Sequence, residues 1–252
     1  MTALLLLVAF MYLGAPLIIL ATQRQAVNPQ LTCYGPVLDD PRFSYLPQTA
    51  QQIQQLGFEL IGYFGLVGQT TNVNTFLAYL VHRRHGDAAI VAGVYSKQGL
   101  MVRMVEFATR FVDQSALTTG NSRIQGVYFR PPQKPVYHFP WIQDPARLYQ
   151  LHQQLIMRDK PGLAKDFVPA GAEVERICDG MRREMADQIA PGILRRDSTG
   201  NWYRPTLKGA YFMCWKMLPP FKQIRAAMNR SKCKKIESSL LGSFSPAPIH
   251  PV

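Results

Sequence analysis

The sequence predicts an α+β protein: an N-terminal transmembrane helix, then an antiparallel sheet of four to five strands with one helix before it and two after it. Three observations predict this. Residues 3–21, ALLLLVAFMYLGAPLIILA, run without a charge. Between positions 60 and 119, four or five runs of apolar, β-branched and aromatic residues follow one another with only short polar breaks. Strands joined so closely, without crossover helices, pair antiparallel. Beyond position 144, two stretches repeat apolar residues every three or four positions, the helical period.

The first run is long enough to cross a bilayer. At 1.5 Å per residue it spans about 28 Å, against a hydrocarbon core of ~30 Å. Gly14 and Pro16 are tolerated in membrane helices. The rival reading is a cleaved signal peptide. It lacks a basic residue before the run and an A-x-A site after it, and the run exceeds the usual roughly 7–15 residues. Arg24, Arg42 and the basic C-terminal segment all follow the run, so the positive-inside rule places the bulk of the chain in the cytoplasm, as a single-pass membrane protein. Residues 22–46, with prolines at 29, 36 and 41, read as a linker.

The α+β domain is expected over 47–194. Pro47 suits the first turn of a helix that carries Ile53 and Leu56 on one face and stops at Gly57. Strands are expected at Leu60–Val67, Val73–Arg83, Ala88–Tyr95 and Met101–Val112, with a short fifth at Ala116–Thr119. In the fourth, Met101, Arg103, Val105, Phe107, Thr109 and Phe111 share one face, which reads as the core face. A proline-rich connector covers Pro131–Pro140. Asp144 then caps a helix with Pro145 at its first position, and Leu148, Leu151, His152, Leu155 and Ile156 form its apolar stripe. A second helix is expected over about Ala172–Ala190, with Ile177, Cys178, Met181 and Met185 in its stripe, ending at Pro191-Gly192.

The net charge of +12 is local. Residues 195–235 hold 11 of the 28 Lys and Arg and one acid, Asp197, which gives +10; the remaining 17 bases and 15 acids give +2. Only this segment therefore calls for an acidic partner. Residues 195–252 read as a basic, aromatic-containing segment, partly disordered at its end. Tyr211, Phe212 and Trp215 form a cluster too short to span a membrane, and Lys216 with Pro219-Pro220 prevents its extension. Together with Phe221, Lys222, Arg225, Arg230, Lys232, Lys234 and Lys235, these residues suit an anionic lipid surface contacted through 208–235. Packing of the apolar part on the domain and nucleic-acid contact by the bases are the alternatives.

No catalytic signature stands out. The glycines at 57, 62, 65 and 68 lack the lysine of a P-loop and the spacing of a dinucleotide fingerprint, so no cofactor is implied. His82 and His85 are separated by two arginines that repel a cation, and read as a solvated turn. Cys33, Cys178, Cys214 and Cys233 form no CxxC pair, hence neither a zinc nor a disulfide pattern. Glu106 and Asp113 would lie about 23 Å apart on one strand, too far to cooperate. Glu106, Thr118, Thr119, Asn121 and His152 are candidates for ligand contact. The sequence thus points to a binding or scaffold module held at a membrane surface by the 3–21 span and the basic segment, its sheet meeting a protein partner or small ligand. A membrane-associated enzyme that brings together His152, Glu106 and the Thr118–Asn121 loop is the alternative, and nucleic-acid contact through the basic tail is a third reading.

Overall fold

The structure, a computed structural model, describes residues 10–33, 43–70, 73–96 and 99–241. The described part of the apolar N-terminal run is a π-helical turn, Phe10–Gly14, followed by α1, Ala15–Thr22. Eight residues of α-helix are about 12 Å long, and the chain then turns extended. Among the described residues no helix is long and apolar enough to cross a membrane. This corrects the expected single-pass transmembrane helix and the membrane placement drawn from it; positions 3–9 of that expectation lie outside the described residues. One side of α1 has a protein partner instead: Ile19 joins Met213 and Phe212 of a C-terminal helix, while Leu17 and Ile18 are exposed.

The expected linker is also ordered in part. Strands β1, Gln25–Ala26, and β2, Thr32–Cys33, both join the sheet. Helix α2, Tyr45–Gln54, starts two residues before Pro47 and buries Leu46, Ala50 and Ile53. The central meander follows: β3, Glu59–Thr70; β4, Val73–His82; β5, Asp87–Ser96; and β6, Gly99–Arg110. Next come β7, Ala116–Gly120, and β8, Val136–His138. Helix α3, Pro145–Asp159, has its first N–H groups capped by the Asp144 carboxylate, which accepts from Ala146 at 3.0 Å and Arg147 at 3.2 Å. Helix α4, Glu173–Ala186, precedes β9, Leu194–Arg196, and β10, Trp202–Pro205. The chain then forms α5, Leu207–Met217, and α6, Phe221–Leu241.

The sheet has ten strands, in the order β8-β7-β6-β5-β4-β3-β1-β10-β9, with β2 also against β3. It is mixed, because β7 and β8 run parallel. The four- to five-stranded antiparallel sheet of the sequence is therefore too small and too uniform. The missed strands are two to four residues long, too short to display an alternation.

Helices cover both faces of the sheet. On one face, Phe76, Leu80, Val91, Val105, Phe107 and Leu117 pack against α2 and α3. On the other, Leu77, Tyr79, Val81 and Ala92 meet Ile177 and Met181 of α4. The fully buried side chains include Phe107, Leu148, Leu151 and Leu155. Each such side chain is worth about 1.5–3 kcal/mol of burial, so the α2–α3 face carries much of the fold's stability. The expected basic tail is structured through Leu241 as β9, β10, α5 and α6; residues 242–252, expected to be disordered, lie outside the described residues.

Candidate functional site

The alternation of β6 sends Val105, Phe107 and Thr109 toward α2 and α3, and Met104, Glu106, Ala108 and Arg110 toward α4. The cross-strand register extends this second set sideways. Ala88, Ala108, Thr118 and Val136 form one rung, and Ile90, Glu106, Gly120 and His138 form the next. Alanine at two adjacent positions leaves the sheet surface low under α4. The space between helix and sheet is a cavity of about 250 Å³. Its floor is Ala88, Ile90, Ala108, Thr118 and Val136; its roof is Ile177, Gly180, Met181 and the stems of Arg176, Arg183 and Glu184.

One end wall is fixed by Gln188, which is fully buried. Its amide accepts from Phe129 N–H at 2.8 Å and donates to the Phe129 carbonyl at 3.0 Å and the Glu184 carbonyl at 3.0 Å. Every polar atom of this side chain is used to tie the 129–131 segment to the end of α4. Beside it stand two one-to-one ion pairs, Arg130–Glu184 at 2.9 Å and Lys134–Asp187 at 2.5 Å.

The opposite end is not charge-balanced. Arg176 pairs with Asp166 at 2.6 Å and Arg183 with Asp179 at 2.8 Å. Arg110 reaches only the same Asp179 oxygen, at 3.4 Å. Three guanidinium groups thus face two carboxylates. Burial, followed by Arg176, holds the Arg110 pKa below the usual guanidinium value despite Asp179, with Arg183 adding to the depression. Gly180 makes the arrangement possible: a Cβ there would come 2.1 Å from Arg110 Nη2. Glycine inside a helix costs roughly 1 kcal/mol relative to alanine, and here it admits the guanidinium against the helix backbone.

The far side of the sheet holds a second polar cluster, centred on the buried Asp87, Thr109, Thr119 and His152. Asp87 Oδ1 accepts from Thr109 Oγ1 at 2.6 Å and Lys165 Nζ at 2.8 Å; Oδ2 accepts from Tyr149 OH at 2.8 Å and Gln153 Nε2 at 2.6 Å. Burial alone would raise this carboxyl, but His152, Lys165 and Thr109 outweigh it and its pKa lies below the usual carboxylate range. Because Thr109 donates to Asp87, it accepts from His152 Nε2–H at 2.9 Å. His152 Nδ1 is then the acceptor for Thr119 Oγ1–H at 3.0 Å. Burial holds the imidazole neutral, its pKa lowered to about 4. Tyr149, which also donates to Asp87, accepts from His85 Nδ1 at 2.9 Å.

These positions divide the residues suggested by the sequence. Glu106 and Thr118 are on the cavity side, whereas Thr119 and His152 are on the α3 side, with the sheet between them. Asn121 is structural: its Oδ1 accepts from Val105 N–H at 2.7 Å and its Nδ2 donates to the Ile142 carbonyl at 3.3 Å. Glu106 sits over Gly120, where a Cβ would come 2.8 Å from Glu106 Cγ. Burial raises the Glu106 pKa, partly offset by Arg130. No single pocket gathers His152, Glu106 and the Thr118–Asn121 loop. Of the residues expected at a lipid surface, Tyr211 and Trp215 are outward, while Phe212 and Lys216 turn inward: Lys216 Nζ lies 4.3 Å from the Phe212 ring centroid and donates to the Tyr128 carbonyl. Burial lowers the Lys216 pKa to about 8.

Sequence reasoning missed Arg110, Arg176, Arg183 and Gly180. A glycine interrupting an amphipathic helix whose flanks are rich in arginine was the available signal. Among the described residues no group of three or more His, Cys, Asp or Glu is placed to hold a metal ion. No protein-family model, curated protein or solved structure matches the chain.

Proposed function

We propose that this protein is a ligand-binding module whose cavity between the sheet and α4 receives a small amphiphilic anion. The observation that carries the reading is Arg110, whose ion pair is a 3.4 Å contact to an Asp179 oxygen that Arg183 also holds at 2.8 Å. A half-buried guanidinium sharing one carboxylate with Arg183 gains from any carboxylate or phosphate brought to it, because charge-assisted hydrogen bonds strengthen where water is excluded. The apolar floor and the Ile177–Met181 roof suit the ligand's body, and the few polar groups at one end suit its orientation. His152 and Asp87 have no part in this, since their hydrogen-bonding capacity is committed to each other's neighbours.

The test uses octanoate and 3-phenylpropionate beside octanol and 3-phenylpropanol. A ligand bound by the native state alone raises the unfolding midpoint with concentration. The acids are expected to raise it and the alcohols to leave it near the unliganded value. Arg110→Gln should remove most of the acids' effect. Equal shifts from acid and alcohol, or full retention of the acids' effect in Arg110→Gln, would refute an anion site.

A further inference from the structure

Helices α1, α5 and α6 leave a continuous apolar surface that the cavity does not use. On α5, Leu207, Tyr211 and Trp215 are spaced by four and therefore form one stripe, and all three are exposed. The stripe continues into α6. The Trp215 ring lies 5.6 Å from Phe221, and Phe221 lies 6.5 Å edge-on from Tyr12, whose hydroxyl donates to the Pro219 carbonyl. Beyond these contacts, Phe10, Leu13 and Leu17 are each more than 60% exposed, as is Met228 at 67%, with Ile224 close behind at 49%. Singly exposed apolar residues are ordinary; a run of them across three adjoining helices marks an interaction surface.

The charge around this surface identifies the partner. No Asp or Glu occurs between Asp197 and Glu237, whereas Lys222, Arg225, Arg230, Lys232, Lys234 and Lys235 all lie on α6. Arg225 sits over the Trp215 ring, 6.0 Å from its centroid, at the boundary between the apolar and basic zones. The second half of α6 is fastened to the domain. Cys233 is buried, and Glu237 accepts from Trp141 Nε1 at 2.6 Å and Arg147 Nη2 at 2.7 Å. The first half, Lys222 to Met228, is exposed apart from the half-buried Arg225. This first half of α6, with exposed apolar residues, aromatic neighbours and no acidic residue, has the chemistry of an interfacial helix.

We infer that the α1–α5–α6 surface docks onto an anionic lipid bilayer, with Trp215, Ile224 and Met228 entering the headgroup zone and the α6 bases meeting the lipid phosphates and carboxylates. The contact lies on one leaflet and needs no crossing. A second copy of the chain lacks the required complementarity, because it presents the same excess of positive charge.

The experiment is co-sedimentation of the full chain with vesicles of phosphatidylcholine alone or with 30% phosphatidylserine (about one lipid in three). Two variants accompany it: Ile224→Ser/Met228→Ser and Lys222→Glu/Arg225→Glu. Ile224, Met228 and Lys222 are exposed and Arg225 half-buried, and an unchanged unfolding midpoint confirms that each variant folds. The wild type should bind the serine-containing vesicles, less well as salt rises past the screening range, and the neutral vesicles weakly. Each double variant should lose about tenfold in partitioning, the loss expected for roughly 1.4 kcal/mol of contact. Equal binding to both vesicle types, or both variants partitioning like the wild type, would overturn the inference. So would a dimer in solution that Ile224→Ser/Met228→Ser dissolves, since the apolar surface would then be its interface. RNA binding without vesicle binding would assign the basic helix to nucleic acid and overturn it likewise.

Discussion

Protonation of His152 should couple the stability of this fold to pH in the range 4–6.5. The imidazole is fully buried, donates from Nε2 to Thr109 and accepts at Nδ1 from Thr119. A proton added at Nδ1 would break the Thr119 bond and place a charge where burial resists it. The folded pKa is therefore lowered to about 4, against about 6.5 in an unfolded chain. The unfolded state binds more protons between these two values, so stability is fully present above about pH 6.5 and is lost as pH falls toward 4. The full span is worth about 3 kcal/mol, and about 2 kcal/mol is gone by pH 5. Asp87, with its lowered pKa, loses its contribution only below the ordinary carboxylate range, so it does not confuse the reading at pH 5. His138, held to about 4 by burial, and His82, also lowered, act in the same window but equally in wild type and variant. The assay is urea denaturation of wild type and His152→Gln at pH 7.5 and pH 5.0. The variant is expected to start less stable, and the gap should close by about 2 kcal/mol at the lower pH. A gap that stays constant would show that His152 is not neutral and buried as described.

Two further substitutions test how the elements are joined. Gly209→Ala would place a Cβ 1.9 Å from the Ile193 carbonyl oxygen, which is backbone and cannot rotate away; a loss of about 1–3 kcal/mol or more is expected from urea midpoints, and a variant as stable as the wild type would show that α5 is free to shift from β9. Asp144→Ala should cost about 1 kcal/mol by removing the cap on α3, and Asp144→Asn should restore most of it; equal losses in the two variants would assign the effect to charge rather than to capping.

What could be read from the sequence follows from how local each signal is. The four long strands lie close to where composition and alternation placed them, because ten or twelve residues suffice to show a pattern. The even-odd split of β6 was visible for the same reason. The 25–26 and 202–205 strands were not: they pair with each other across about 175 positions, and two to four residues display no period. The apolar N-terminal run misled because composition alone reports an aversion to water without naming what replaces it. Here that replacement includes Met213 and Phe212. Likewise Arg110 falls on the non-core face of its strand, where an arginine calls for no explanation. Its meaning depends on Asp179 and Gly180, which reach it only through the folded layer of α4.

The two sheet faces show why the candidate residues separate as they do. On the α3 side Asp87, Thr109, Thr119, His152 and Tyr149 bond one another in one chain, and the His152 tautomer follows from it. Such a cluster rigidifies the core. On the α4 side the same sheet carries alanines where bulk could have filled the space, a glycine where a helix former would be more stable, and three arginines on two carboxylates. Each departs from what stability alone would favour, and all converge on one cavity. Histidine on an apolar helix face is one of the candidates that the sequence offers for ligand contact. The proposed ligand contact lies elsewhere, at Arg110, because that guanidinium has only a 3.4 Å contact to a carboxylate that Arg183 also holds.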